Sequence, residues 1–389
     1  MYKWITCILI VFNLSAFSEN NNWSVAEVDS VSYSLYSSQK WEKLCQYGEQ
    51  AIFKNIDFYY LRYRLGIAYY ELQKYRAAIP HFEKAYEQNY FDEALKEYLY
   101  YSYLFSGEYE RATKTANTFN ADGLNRIGEP KILSLFAVDA GSKNSDKSDL
   151  IGNLPFMSAA IGHRLGKGLS MFESYSYLSQ TVYYGYIYQN QYYVSCTIPL
   201  SNQVTIQPAV QLLDYHLRSC NEAVPSVNGS SYLGGLKIKK SSNITDLYIT
   251  NTLSDFNNKT QYQHTVGLIL YPLMNQKFSV DISGSLHTED TYQTINSMYQ
   301  LKLNLQTGPR FDVHASYLSC NAYNTNEADG FLVNNSVDLL KYKINILCNF
   351  KVYKSFSVYA LYQYETRHEN YLDIDYHFNT LMAGLKLTM

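Results

Sequence analysis

The run Gly162-His-Arg-Leu-Gly166-Lys-Gly168 combines glycines with a lysine, residue types that could bind a phosphate group. A phosphate-binding loop surrounds the phosphate with backbone N–H groups and adds a lysine and a Ser or Thr hydroxyl that holds magnesium. The glycines here are one residue too close together, and Gly168 occupies the position of the hydroxyl. The run also separates two strand-like segments, so we interpret it as a hairpin turn.

The remaining reactive residues form no recognisable catalytic or metal-binding pattern. The sequence has no H-E-x-x-H, G-x-S-x-G, G-x-G-x-x-G or calcium-loop motif, and its eight histidines are scattered. Its six cysteines include no C-x-x-C pair, which argues against a zinc site or a disulfide framework, although the spacing does not decide whether Cys220 and Cys320 pair. The sequence therefore predicts a protein that is not an enzyme, with no catalytic or metal-binding residues and no cofactor.

Tyrosine is unusually frequent, with 41 of 389 residues, while only 17% of the residues are charged. A tyrosine ring is apolar and its hydroxyl is polar, which suits side chains at the interface between a bilayer and water. The net charge of −3 argues against a nucleic-acid partner, because nucleic-acid-binding proteins have a strongly basic surface.

Residues 1–18 are predicted to be a secretory signal peptide. Lys3 supplies a positive start, an apolar stretch runs from Trp4 to Leu14, and Ala16-Phe17-Ser18 has the small-x-small pattern of a cleavage site. The apolar stretch is far shorter than the ~20 residues of a spanning helix. Beyond residue 20 no apolar run reaches that length, so the exported chain is either soluble or a β-barrel.

From residue 131 to residue 389 the sequence alternates apolar and polar residues, which is the pattern of β-strands. Phe278–Leu286 and Tyr299–Leu305 alternate without a break. The connections alternate between short and long, as in outer-membrane barrels, whose periplasmic turns are short and whose external loops are long. The count predicts an antiparallel transmembrane β-barrel of about fourteen strands, with residues 320–335 as one of the external loops.

A soluble β-sandwich would also alternate, so the position of the ionisable residues is decisive. Six of them lie mid-strand on the face opposite the apolar residues: Lys237, Asp281, Lys302, Asp312, Lys343 and Lys386. A dry sandwich core would not hold such groups unpaired, whereas a polar lumen would. We therefore predict that these six residues face the lumen. The apolar residues predicted to face lipid include Val280, Ile282, Leu301, Leu303, Val313, Ile344 and Ile346.

Residues 28–120 carry a 34-residue period. SSQKW ends at Trp41, ELQKY at Tyr75 and FSGEY at Tyr109, so successive copies are displaced by 34 residues. The middle copy resembles the tetratricopeptide repeat (TPR) family at Leu65, Gly66, Tyr69, Ala78, Phe82 and Ala85. The resemblance implies a short α-helical solenoid, which would lie in the periplasm before the barrel.

Repeats of this family stack so that their concave face takes a peptide or a partner helix. By the family pattern, that face would comprise Tyr60, Tyr63, Ile67, Tyr70, Glu97, Tyr101 and Leu104. The alternative is that these tyrosines pack against the barrel or against a capping helix.

The order of the two parts resembles the repeat-plus-barrel outer-membrane proteins of the Bacteroides-type lineage. It is also similar in architecture to the outer-membrane exporters of bacterial exopolysaccharides. The first prediction is an envelope scaffold, in which the barrel contacts outer-membrane lipid and the periplasmic helices recruit a protein or peptide. The alternatives are a channel or export porin for a polysaccharide or small solute, and a membrane-embedded enzyme, which no motif supports. An open or a plugged lumen would distinguish the scaffold from the channel.

Overall fold

The computed structural model describes residues 23–148, 152–182, 185–220, 225–256, 259–289, 294–323, 325–327, 329, 331–333, 338–369 and 373–389. The predicted signal peptide, residues 1–18, lies outside the described residues. In the described chain, helices come first and strands follow. The helices are α1 Val25–Ser37, α2 Trp41–Phe53, α3 Tyr59–Glu71, α4 Tyr75–Gln88, α5 Glu93–Phe105, α6 Tyr109–Ala116 and α7 Ala121–Ile127.

The first six helices form three pairs with a repeated turn. Helices α1, α3 and α5 begin 34 residues apart, and so do α2, α4 and α6. The turns inside the pairs contain Gln39, Gln73 and Gly107, whose φ angles are 54°, 57° and 75°. The next residue in each turn donates a backbone hydrogen bond of 2.9 Å to a carbonyl of the preceding helix: Lys40 to Leu35, Lys74 to Tyr69 and Glu108 to Tyr103. This is a C-cap of the Schellman type. The helices and the turns between them therefore repeat every 34 residues, as the sequence does.

Small residues allow α3 and α4 to pack closely. A Cβ atom added at Gly66 would lie 2.5 Å from the ring of Phe82, so the ring occupies the space that a side chain would need. Phe82, Ala78 and Ala85 are completely buried. The Tyr59 hydroxyl connects this pair to the next by donating a 2.7 Å hydrogen bond to the Asp92 carboxylate. The helices thus share an apolar core.

Fourteen strands form a closed antiparallel barrel in chain order, because the first strand pairs with both the second and the last. This confirms the predicted barrel. Its strands are β1 Leu133–Ser145, β2 Leu154–Leu165, β3 Leu169–Val182, β4 Gly185–Pro199, β5 Val204–Ser219, β6 Val227–Ser241, β7 Thr245–Phe256, β8 Lys259–Leu270, β9 Phe278–Glu289, β10 Thr294–Gln306, β11 Phe311–Ala322, β14 Leu339–Tyr353, β15 Phe356–Glu369 and β16 Ile374–Thr388. The connections after β2, β4, β6, β8, β10 and β14 lie at one end of the barrel, called the turn end, and the other connections lie at the opposite end, the loop end. Their lengths do not alternate as predicted, because two residues separate β3 from β4 and β7 from β8, whereas seven residues separate β8 from β9.

The connection between β11 and β14 differs from the prediction. The sequence predicts an external loop over residues 320–335, but β11 extends to Ala322, and the described residues 325–327, 329 and 331–333 fold into the barrel. Two short strands, β12 Asn326–Glu327 and β13 Leu332–Val333, pair with each other inside this segment. We call its described residues, 325–327, 329 and 331–333, the inner segment. Its polar side chains contact the barrel wall. The alternation of apolar and polar residues within a strand cannot predict these contacts.

The helices lie across the turn end. Asn275, in the turn between β8 and β9, donates a 2.9 Å hydrogen bond to the Gln73 carbonyl. Ser170, just after the turn between β2 and β3, donates a 2.5 Å hydrogen bond to Glu110. These turns are six strands apart in a ring of fourteen, so they lie on nearly opposite sides of the opening. Helices α3 to α6 therefore span the mouth of the barrel.

Candidate functional site

The inner wall of the barrel is polar because alternate residues of each strand point inward. Along β7, the inward residues Thr250, Thr252 and Ser254 are buried, while Leu247 and Ile249 on the other face are exposed. The same alternation continues around the ring. Buried polar residues on other strands include Ser174, Ser195, Gln211, Ser231, Gln263, Ser279, Ser283, Asn349 and Thr380. The lumen is thus lined mainly by hydroxyl and amide groups.

The structure places the predicted lumen residues on this inner wall, mostly in ion pairs. Lys302 lies 3.4 Å from Asp281 on the neighbouring strand. Asp312 accepts a hydrogen bond of 3.2 Å from Asn349. Lys386 is in register with Ala137 and Ser357, two buried inward residues, which places it near the turn end.

The other two predicted lumen residues, Lys237 and Lys343, hold the inner segment. Lys237 lies 2.7 Å from Asp329, which also accepts a 3.1 Å hydrogen bond from the Thr250 hydroxyl. Lys343 is only 6% exposed and donates a hydrogen bond to Glu327. The predicted lysines therefore lie opposite acidic residues that the alternation pattern could not identify as their partners.

Amide groups and aromatic rings complete the contacts of the inner segment. The Gln263 side chain bonds the backbone of Asn326 in both directions, at 2.7 and 3.1 Å. Further towards the turn end, the ring of Phe331 lies 5.6 Å from that of Phe172 and 5.3 Å from that of Tyr193. The segment thus reaches from β3 to β8 across the lumen and narrows it.

Two cavities remain in the lumen beside the inner segment, and their linings differ. One is lined by Lys237, Lys302, Glu327 and Asp329 together with hydroxyl and amide side chains. The other, near the turn end, has a volume of about 310 Å³ and is lined by residues of β1 to β5 and by Phe331. The inner segment therefore narrows the lumen but does not fill it.

Several buried polar atoms on the inner wall have no hydrogen-bond partner within the part of the chain that the structure describes. They belong to Gln211, Ser231, His287, Asn345, Asn349 and Thr380, and to Thr325 and Asn326 of the inner segment. His287 is completely buried on the inward face of β9, and neither of its ring nitrogens has a partner among the described residues. Buried polar groups are normally paired with protein or with water. This pattern is expected of a hydrated lumen.

The outer wall is apolar. Of the residues predicted to face lipid, Ile282, Leu301, Leu303, Ile344 and Ile346 are exposed, while Val280 and Val313 are half-buried. Exposed tyrosines, among them Tyr232, Tyr299, Tyr317 and Tyr353, add rings to the outer surface. A water-soluble protein seldom exposes so continuous an apolar surface. No helix in the described ranges is long and apolar enough to cross a membrane.

The residues predicted to line a concave helical face divide into two groups. Ile67 is buried in the helical core, and Tyr63, Tyr70 and Leu104 are half-buried against it. The Tyr70 ring lies 5.2 Å from the ring of Tyr98. These four residues therefore pack within the core of the helices, which is neither of the two roles predicted from the sequence.

The other predicted face residues are more accessible. Tyr60 is 59% exposed. Glu97 lies 3.1 Å from Arg126 in an ion pair, and the half-buried Tyr101 ring stacks on Phe105 at 5.9 Å. Tyr60 is thus the member of the set that remains most available to a partner.

Arg76 joins the helices to the barrel, a role that no sequence signal indicated. Its guanidinium donates a 2.7 Å hydrogen bond to the Ser242 carbonyl in a barrel turn, and it also binds the Asp246 carboxylate. The ring of Tyr271 lies 4.0 Å from the guanidinium carbon. Arg76 is 3% exposed and Asp246 is 1% exposed. The arginine is therefore an enclosed anchor between the two parts.

A separate polar network lies within the helices. His81 Nε2 is 3.0 Å from Glu49 Oε1, and the Tyr69 hydroxyl donates a hydrogen bond of 3.0 Å to the same oxygen. The hydrogen bond from His81 is the main reason that the pKa of Glu49 is lower than usual. Burial raises the pKa of the nearby Cys45 thiol to about 12, which keeps it protonated and unreactive.

Among the described residues, no group of three or more His, Cys, Asp or Glu side chains could hold a metal ion. Cys220 is exposed, Cys320 is buried, and both are free thiols. The predicted hairpin at residues 166–168 is a single turn of 3-10 helix between β2 and β3. The lumen and the helices at its mouth are therefore the candidate functional site.

No protein-family model and no curated protein matches the chain. Among solved structures, it is similar to the CymD monoaromatic hydrocarbon channel, with a TM-score of 0.48 and 6% identity over 70% of this chain and 94% of that chain. It is also similar to a FadL homologue of Pseudomonas aeruginosa, with a TM-score of 0.43 and 7% identity over 66% of this chain and 90% of that chain. A third similar structure is the outer membrane protein Omp33 of Acinetobacter baumannii, with a TM-score of 0.38 and 9% identity over 67% of this chain and 100% of that chain. Such distant likenesses indicate no substrate for this barrel.

Proposed function

We propose that the protein is an outer-membrane channel for small polar solutes, and that the inner segment narrows its pore. The observation that carries this proposal is the inner wall, which combines hydroxyl and amide groups with paired charges and leaves two cavities beside the inner segment. A barrel that served only as an anchor could fill its interior with close-packed side chains. A polar, partly empty interior suits the passage of water and solutes.

The outer surface supports the location in a membrane. Leu, Ile and Val side chains are exposed around the ring, as lipid contact requires. We infer that the turn end lies on the periplasmic side, so that the helices lie in the periplasm, across the inner opening of the channel. A solute would meet the helices at one end and the inner segment within the barrel.

The contacts of the inner segment suit a reversible narrowing. Asp329 and Glu327 each form an ion pair with a lysine of the wall, and Asn326 bonds Gln263. Such contacts can be exchanged for contacts with water at modest cost, whereas a large apolar interface cannot. Displacement of the segment would widen the pore without unfolding the barrel.

Single-channel recording in planar bilayers tests the proposal. The wild-type protein should conduct ions, and the double variant Asp329→Asn, Glu327→Gln should show a larger conductance or longer open times, because both ion pairs are lost. Asp312→Asn is the matched control, since Asp312 faces the lumen and its bonds are to His314 and Asn349 instead of the inner segment. A folded barrel that conducts in neither form would contradict the channel.

The helices support a second candidate function, the recruitment of a periplasmic partner, as the TPR resemblance implies. Tyr33 and Tyr60 are both exposed and flank Arg64, with ring centres 5.3 and 5.6 Å from the guanidinium carbon. Exposed tyrosines beside an arginine are typical of protein-binding surfaces. Tyr33→Ala with Tyr60→Ala should abolish co-purification of a partner, while Phe53→Ala, at a more exposed aromatic residue away from Arg64, should not. Unchanged co-purification by the double variant would remove this candidate.

A further inference from the structure

We propose that the cavity near the turn end binds a neutral sugar. This rests on the proposed channel function and names the class of its solute. We call it the aromatic cavity; it lies between the inner wall of β1 to β5 and Phe331 of the inner segment, and its volume is about 310 Å³. That is the low end of the range for small-molecule sites, enough for a compact ligand.

Three aromatic rings form one side of the aromatic cavity. Phe172 on β3 and Tyr193 on β4 are 6.2 Å apart between ring centres, at an interplanar angle of 61°. The ring of Phe331 lies within 5.6 Å of both, so the three rings form a corner. The Gln211 side chain contacts the Phe331 carbonyl at 3.4 Å, which helps to hold this ring at the wall. The corner presents aromatic surface to whatever enters the cavity.

The rest of the lining is mixed: Leu135 and Met171 are apolar, His163 contributes an imidazole, and most of the remaining residues are polar. Hydroxyl and amide groups come from Ser134, Ser170, Ser195, Thr197 and Gln207, and no Asp, Glu, Lys or Arg is among the lining residues that the structure describes. The neighbouring cavity in the same lumen is different, because Lys237, Lys302, Glu327 and Asp329 line it. The four charged residues of the neighbouring cavity are thus not part of the lining of the aromatic cavity.

This combination matches the chemistry of a sugar ring. A pyranose has faces of C–H groups that can pack on an aromatic ring and remove apolar surface from water. Its edge carries hydroxyl groups, which both donate and accept hydrogen bonds, as do the Ser, Thr and Gln side chains opposite. A charged ligand would lose water without gaining an ionic partner. A hydrocarbon would leave the hydroxyl and amide groups of the wall unpaired.

The position of the aromatic cavity fits a solute on its way through the pore. Ser170, one of its lining residues, bonds Glu110 of α6, so the cavity lies directly above the helices at the mouth. On its other side, Phe331 belongs to the inner segment. A sugar bound here would therefore contact the segment that narrows the pore.

Titration calorimetry of the full-length protein in detergent, with glucose and maltose as probes, tests the site. Saturable binding is expected, and Phe172→Leu should weaken it about tenfold, because the flat ring surface is lost. Phe256→Leu is the matched control, since Phe256 is a buried aromatic of the inner wall that packs with Leu213 and Leu233 near the loop end. Both variants should still migrate faster unheated than boiled on gels, which shows that the barrel is closed.

The alternative ligands and the channel function are tested separately. Tighter binding of galacturonate or of toluene than of the neutral sugars would overturn the proposal, and so would no binding of either sugar. Equal weakening by both Phe variants would also overturn it. Bilayer conductance is measured on the same preparation: ion current without sugar binding would contradict this site alone, whereas sugar binding without ion current would contradict the channel.

Discussion

The two interiors of this protein differ in what fills them. The helical interior around Phe82 is apolar and closed, with Gly66, Ala78 and Ala85 leaving only the space that the ring occupies. The barrel interior is polar and partly empty, and the inner segment is held there by ion pairs and amide hydrogen bonds. One interior is held together by apolar packing, and the contents of the other are held by polar contacts.

This difference has consequences for mutation. In a close-packed apolar core, removal of one ring leaves a void that the surroundings cannot fill. The barrel wall is stabilised by the strand-to-strand hydrogen bonds of a closed sheet, so an inward side chain can change with little effect on folding. Changes in the helices should therefore affect folding, and changes in the lumen should affect passage.

The largest effect is expected from Phe82→Ala. Loss of the completely buried ring should destabilise the helices by roughly 3–5 kcal/mol. Limited proteolysis and circular dichroism should show loss of helix between residues 25 and 127, while the barrel remains heat-modifiable. Phe53→Ala, on an exposed ring, is the control and should have little effect. Loss of the barrel in the Phe82 variant would show that the two parts fold as one unit.

The joint between the two interiors should be the next most sensitive position. Arg76→Ala leaves the buried Asp246 carboxylate without its main partner, which should cost about 3 kcal/mol. The helices should then undock and become accessible to protease while both parts stay folded. The control Arg126→Ala breaks a half-exposed pair with Glu97 and should cost less than about 1 kcal/mol. Equal protection in both variants would contradict the anchor.

The outer wall should be more sensitive to charge than the inner wall. Ile282→Arg introduces a charge on the lipid side of β9 and should cost about 2 kcal/mol or more near the midplane. Lys302→Gln, on the inner side of β10, removes a partly exposed partner of Asp281 and should change the free energy of unfolding little. Urea titration in lipid vesicles measures both. Similar costs for the two variants would mean that the assignment of inner and outer faces is wrong.

The smallest effect concerns pH and the network of Glu49. Its folded-state pKa lies below the usual value of 4.5, so the unfolded chain binds more protons as the solution becomes acidic. The stability that Glu49 contributes is present above pH 4.5 and is lost as the pH falls towards its folded-state pKa. In the Glu49→Gln variant, the melting temperature of the helices should therefore fall less than in the wild type as the pH drops below 4.5. Glu42→Gln, at an exposed position on the same helix, should leave this pH dependence of the melting temperature unchanged. An unchanged pH dependence in the Glu49 variant would contradict this account.

Two features could be predicted from the sequence because each is a local period. The 34-residue spacing of Trp41, Tyr75 and Tyr109 returns as the starts of α2, α4 and α6. The two-residue alternation of segments such as Phe278–Leu286 returns as a strand with one polar and one apolar face. Both patterns follow from backbone geometry, in which a side chain's direction depends on its position within one element.

The predicted concave face shows where this reasoning ends. Tyr60 and Tyr63 are separated by three residues on one helix, yet one is exposed and the other packs against Phe82 and Tyr98. The period indicates which helix turn a residue occupies, but the neighbouring helices determine whether its side chain is covered.

The sequence by itself determined that helices precede a closed sheet of about fourteen strands and that lysines such as Lys237 and Lys343 lie on the polar face. The tertiary structure alone decided that Asp329 and Glu327 meet those lysines inside the barrel, and that Arg76 reaches Asp246 at its mouth. Asp329 and Lys237 are 92 residues apart, and Arg76 and Asp246 are 170 apart. Contacts at such separations form between irregular segments and leave no period in the chain, because they depend on how the closed barrel brings distant strands and turns together.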